Sequence, residues 1–160
     1  MVRWLVRIVV GLVVLVALVF VGARLHDGPL GPIPGGPLAS GEIVSAPVTD
    51  WSFAKDVAET ELQLESQDRS RTVWILVNGA QAYVPCSLGF PPGKSWYQEA
   101  VKDGRATLRI EGKRYPVTLS KLDDAAQAPL TPVFEAEVAR KYGNPPSTDA
   151  GVWFFHVTSR

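Results

Sequence analysis

The chain is poor in the residues that build covalent and metal frameworks. Of its 160 residues one is cysteine, Cys86, and two are histidine, His26 and His156. A lone cysteine excludes an intramolecular disulfide and a thiolate metal cluster, and reads as a packed, inert side chain. Neither histidine has a partner at HxxxH or HxH spacing, so no metal site is expected. Ser87 has no His/Asp companions, which leaves hydroxyl nucleophilic catalysis without its machinery, and no catalytic side chain is assigned. An excess of charge of one sign is missing as well, since 16 Lys+Arg balance 16 Asp+Glu. Arg3, Arg7, Arg24 and Asp27 precede Glu42, which leaves thirteen basic against fifteen acidic residues beyond it. No basic stripe suits nucleic acid and no acidic tail suits a basic partner. There are no internal repeats.

What the chain does have is one long apolar run. Ile8 to Ala23 carries no charge over sixteen residues. With Trp4, Leu5 and Val6 covered by a snorkelling Arg7, it reaches roughly 28 Å at ~1.5 Å per residue, the thickness of a bilayer core. Arg3 and Arg7 precede it and Arg24 follows, a bias that puts the N-terminus in the cytoplasm and the rest outside. The run reads as a retained single-pass anchor in the inner or cytoplasmic membrane. Val21-Gly22-Ala23 offers small residues for a signal peptidase, so a cleaved signal is the alternative; its apolar stretch is long for one. No twin-arginine pair marks export of a prefolded, cofactor-loaded protein.

Residues 1–25 are thus an anchor or signal. Residues 26–41 follow as a Pro/Gly-rich linker; Asp27 to Gly41 holds five Gly and four Pro, and is expected to lift the domain off the membrane. Residues 42–160 form the globular domain. In it Glu59 to Glu65 alternates, with Leu62 and Leu64 on one face, as a half-exposed strand. Arg71 to Val77 is apolar on both faces and reads as a central strand. Asn78-Gly79 is a strong hairpin signal, with Ala80 to Pro85 as the returning strand. Ser87 to Gly93 breaks regular structure. Ser95 caps a helix of about two turns that Asp103-Gly104 ends. Ala106 to Ile110, a Glu111-Gly112 turn and Arg114 to Leu122 make a second hairpin. Thr131-Pro132 opens a helix with Phe134, Val138 and Tyr142 as its buried stripe, and Gly143 ends it. Val152 to Thr158 is the last strand. The order β-β-β-α-β-β-α-β predicts a mainly β, α+β fold, an antiparallel barrel with helices packed at its ends.

The run Ser70-Arg71-Thr72-Val73, a hairpin ending Tyr83-Val84-Pro85-Cys86, a loop to Lys94 and a short helix before a second hairpin resemble the split β-barrel flavoproteins. These are the pyridoxamine 5'-phosphate oxidase-like proteins and their deazaflavin-dependent, nitroreductase-like relatives. The resemblance covers roughly Val48 to Thr158 and implies a split antiparallel barrel with two short helices. It implies binding of FMN or a deazaflavin of the coenzyme F-420 type, a small-molecule substrate, oxidoreductase chemistry and a homodimer. It makes Arg71, Ser87 and Lys94 phosphate or ribityl ligands, sets Val84 and Pro85 against the cofactor, and flanks the pocket with Trp74 and Trp96. A cation and helix-end N–H groups suit a phosphate, and flat apolar walls suit a tricyclic ring. The chain departs from the pattern at Gly89-Phe90-Pro91-Pro92-Gly93, which leaves a single cation, Lys94, in the loop. That departure motivates a second reading, an exported binding or assembly module that has lost its cofactor. Haem, with His156 as the one axial candidate in the domain, ranks third.

Overall fold

The structure is a computed structural model that describes residues 2–143 and 150–160. Helix α1, Val2–Leu25, is long and apolar enough to cross a membrane; in its last turn Ala23 alone is buried. The domain is α+β. Its strands are β1 (Glu59–Leu64), β2 (Ser70–Trp74), β3 (Leu76–Asn78), β4 (Gln81–Ser87), β5 (Arg105–Ile110), β6 (Lys113–Lys121) and β7 (Val152–Ser159). The domain helices are α2 (Trp96–Lys102), α3 (Asp124–Gln127) and α4 (Leu130–Tyr142). All strands form one antiparallel sheet in the order β2-β1-β5-β6-β7-β4-β3.

The sheet closes because its two edges are one stretch of chain. The sequence predicts a single central strand over Arg71–Val77. The structure breaks it at Ile75, so that β2 pairs with β1 and β3 pairs with β4. Following the register from Ser70 through Gln63, Thr107 and Pro116, then past the end of β7 and β4, returns near residue 80, ten residues along the starting strand. An offset of this kind tilts the strands and closes a barrel. Counting the broken strand once, the barrel has six strands. Eight give an interior just wide enough for side chains to fill, so this narrower one has no room for a large ligand inside.

Inward positions alternate along each strand, as a half-buried β surface requires. Leu62, Leu64, Val84, Ala106, Leu108, Val117 and Phe155 are completely enclosed. Helix α2 plugs one end with Trp96 and Ala100, and Trp51, beside a 3₁₀ turn at Ser52–Ala54, plugs the other. Helix α4, expected at a barrel end, instead covers the outer face of β3 and β7: Leu130, Phe134 and Val138 pack on Leu76 and Phe154. Tyr142 of the expected buried stripe is 42% exposed and stacks on Trp74 with centroids 5.2 Å apart. The first hairpin turns at Gly79-Ala80, one residue later than expected, since Asn78 pairs with Gln81. The second turns at Glu111-Gly112 as expected, both residues at positive φ.

Residues 26–41, read from composition as a free spacer, are strapped together with residues 42–44 along the outside of the barrel. The Arg24 guanidinium donates to the Asp68 carbonyl, Gly36 N–H to His26, Gly35 N–H to Ser70, and the Ser70 hydroxyl to Gly36. A Cβ on Gly35 would stand 1.8 Å from the Gly28 carbonyl oxygen, so only glycine permits this fold-back. Farther down, Arg114 donates to the carbonyls of Leu38 and Gly41, and Val44 N–H donates to Arg114. The segment lacks apolar periodicity, yet its backbone groups find partners on β2, β5 and β6. That is the accounting a composition reading omits.

Arg109, whose side chain is 10% exposed, holds the strap by pairing with Glu61 on β1 and with Asp27 at 2.9 Å. Asp27 also accepts the N–H groups of Ala39 and Ser40. The Ser40 hydroxyl first, and then the Ala39 amide and Arg109, hold the Asp27 carboxyl well below its ordinary 3.8. A depressed folded value contributes stability that is complete above the unfolded value and is lost as pH falls toward the folded one. The Ala39 and Ser40 amide proton shifts should therefore stay constant down to about pH 4 and move below it. In Asp27→Asn both shifts should be displaced at every pH and show no acid step. Wild-type shifts that move above pH 5 instead would contradict the assignment.

Candidate functional site

Tracing the register with its tilt places the β1–β2 turn, the start of β5, the end of β6, the start of β7, and the end of β4 with its loop to α2 at one end of the barrel. Here β2 diverges from β4, because β4 pairs only with the β3 half of the broken strand. Arg71 stands at this mouth, on the inward side of β2 that it shares with Val73. Its guanidinium carbon lies 5.8 Å from the ring centroid of Trp96, the residue that plugs the end. Nη2 donates to Gln67 Oε1, while Nε is buried and finds no acceptor among the described residues. Leaving a buried donor unmade costs about 1–3 kcal/mol, more when the group is charged.

The charges around Arg71 make it more costly still. Burial foremost, together with the neighbouring Arg69, pushes its guanidinium down to about 10. The Cys86 thiol interacts electrostatically with both Arg71 and Lys94, so the three share one locality. Burial lowers Lys94 and raises Cys86, to about 11, despite the two cations beside it. The Lys94 ammonium itself donates to the Phe90 carbonyl across its own loop. The mouth thus holds three cations (Arg69, Arg71 and Lys94), next to an aromatic wall, and among the described residues no carboxylate pairs with Arg71 or Lys94. Such a site attracts an anion carrying a flat apolar group.

Of the residues singled out from sequence, the fold gathers Arg71, Lys94 and Trp96. Ser87 is at the end of β4 and half-buried, on the side of the strand opposite Cys86. Pro85 is buried on that same outer side, opposite Phe154. Val84 is wholly enclosed in the barrel core and presents no surface in the single chain. Trp74 faces outward beneath α4, against Phe134 and Tyr142, away from the mouth. Two residues with a place here escaped the sequence reading. Gln67 orients Arg71, and nothing in its type or spacing marks it. Arg69 could have been found, because Arg69-Ser70-Arg71 in extended chain puts two guanidiniums on one side.

Solved structures similar to this chain include two from bacteria. One is a candidate pyridoxamine 5'-phosphate oxidase from Listeria innocua, 11% identical, with a TM-score of 0.48 over 68% of this chain and 89% of that one. The other is an FAD-binding protein from Mesorhizobium loti, 15% identical, with a TM-score of 0.46 over 68% of this chain and 86% of that one. No family model matches the chain, and no curated protein does. The likeness is one of shape.

A groove of about 490 Å³ lies elsewhere, between the strap and β1, lined by Glu59, Glu61, Glu111 and Arg109. Its carboxylates repel a phosphate, and its one guanidinium is already paired. We therefore place the candidate site at the mouth.

Two outcomes follow from the geometry there. Arg71→Met removes a half-satisfied buried cation and keeps its apolar stem. It should leave the thermal midpoint unchanged or raise it, the reverse of an ordinary core-facing substitution. A clear drop would mean that Arg71 serves the fold rather than a ligand. Cys86, 3% exposed and raised to about 11, should resist iodoacetamide at pH 8 in the folded protein and react fully once unfolded.

Proposed function

We propose that this is a membrane-anchored split-barrel protein that binds a phosphorylated flavin or deazaflavin at the Arg71–Lys94–Trp96 mouth and serves as an oxidoreductase. The observation that carries the reading is the buried, unpartnered Nε of Arg71 above the face of Trp96. A phosphate would complete its hydrogen bonding, and an aromatic wall is in place for a ring system. Arg71 and Lys94 would hold the phosphate and Trp96 would bound the pocket. When bound, such a cofactor supplies the hydride or electron transfer, and the chain supplies pocket shape and positive potential. The narrow, side-chain-filled interior supports a site on the rim, and a second copy of the chain would wall its open side as a homodimer. Anchoring rests on α1, with the domain on the outer side of the membrane.

One observation favours the second reading, an exported binding module without cofactor. The Lys94 ammonium already donates to the Phe90 carbonyl of its own loop, and among the described residues Arg71 Nε is the buried side-chain donor left without a partner.

The two readings separate on purified full-length protein in detergent. Titration with FMN and with a deazaflavin cofactor, followed by ligand fluorescence, should give saturable binding to one of them. Arg71→Ala should weaken it by roughly ten- to a hundredfold, the loss of about 1.5–3 kcal/mol expected for a charge-assisted hydrogen bond. Trp74→Ala should leave it unchanged. Absence of binding by either ligand removes the enzyme reading and leaves the module.

A further inference from the structure

The apolar helix leaves the barrel from a definite end. α1 ends at Leu25, and the contacts that follow begin at once: Arg24 on Asp68 in the β1–β2 turn, and Gly36 on His26. Fifteen free residues could hold a domain roughly 50 Å away. Here the strap is used up along the barrel wall and supplies no reach. The helix body touches none of the barrel, so it departs from the end that carries the β1–β2 turn.

The β4–α2 loop projects from that same end. At its tip Phe90 is 76% exposed, and the flanking Pro91 and Pro92 are exposed too. Outside α1 no other large apolar side chain is so exposed among the described residues. Arg69 is exposed in the neighbouring turn, and Lys94 closes the loop. An aromatic tip flanked by cations is the composition that settles at a lipid headgroup boundary, ring among the acyl chains and charges among the phosphates.

We infer that the Phe90-Pro91-Pro92 tip is a second membrane contact, docking the mouth end of the barrel on the bilayer that α1 crosses. Membrane insertion of α1, part of the function proposed above, is its premise. The docked barrel has two attachments at the same end, the α1 exit beside the β1–β2 turn and the loop tip, which together restrict its tilt. The Arg71 mouth then opens at the headgroup level instead of into bulk solvent, so whatever enters it approaches along the membrane surface.

The test uses the full-length chain in nanodiscs of phosphatidylcholine and phosphatidylglycerol, with an environment-sensitive fluorophore at one introduced cysteine. The positions are Phe90→Cys at the tip, Val13→Cys within α1, and Lys113→Cys at the opposite end of the barrel. Buried Cys86 stays unlabelled, and Cys86→Ser serves as background should it react. Doxyl-labelled lipids should quench emission at 90 and at 13 and leave 113 unaffected, and the probe at 90 should shift to the blue on transfer from detergent to nanodiscs. Quenching at 13 with none at 90 overturns the docking while the anchor stands. Quenching at neither removes the anchor and the docking together. A blue shift at 90 that grows with protein concentration in detergent, without lipid quenching, assigns the tip to a second copy of the chain and also overturns it.

Discussion

Everything in this domain depends on one stretch of backbone serving both edges of the same sheet. Residues 70–78 leave β1 at Trp74 and join β4 at Leu76, and the break at Ile75 converts an open sheet into a barrel. Closure removes the exposed edges that an open sheet must otherwise protect. It also produces the divergence of β2 from β4, because one strand cannot pair along its full length with two neighbours offset by ten residues. Arg71 stands in that divergence.

The narrow barrel explains why polar chemistry collects on its rim. Six strands leave an interior filled by Leu, Val and Phe side chains, with Trp96 and Trp51 closing the ends. A cation has no interior position in such a core, and Arg71 occupies the boundary, largely enclosed and half orphaned. A guanidinium with an unpartnered Nε beside a second arginine is disfavoured locally and persists because the surrounding packing over-determines its place. Arg109 is the instructive contrast. It is similarly enclosed but fully paired with Glu61 and Asp27, and its role is to hold the strap.

That strap joins the apolar helix α1 to the geometry of the mouth. A Pro/Gly-rich segment is usually a solvated tether, but its backbone donors and acceptors here meet β2, β5 and β6 at fixed points. The barrel is therefore oriented with respect to α1, and the mouth, the Phe90 loop and the helix exit share one end. Orientation, absent from a flexible linker, becomes a property of the fold.

Much of this was legible without coordinates. The apolar run, the alternation of Leu62 with Leu64, the Glu111-Gly112 turn and the Gly143 helix stop are local signals, set by side-chain period and by the φ each residue tolerates. They determined the α1 span, most of the strands and the mainly antiparallel class. Among the site residues, Arg71, Lys94 and Trp96 were named from a resemblance, and the fold brings them together. What tertiary structure alone decided is non-local. The break at Ile75 is required by closure, although the sequence there reads as one continuous apolar strand. Trp74 faces α4 rather than the mouth because the pleat turns it to the opposite side from Arg71. Gln67 gained its place from the β1–β2 turn, and the strap gained its order from partners found 25 to 82 residues away. Periodicity carries information over a few residues, whereas register, closure and the pairing of buried charges are settled only when distant segments meet.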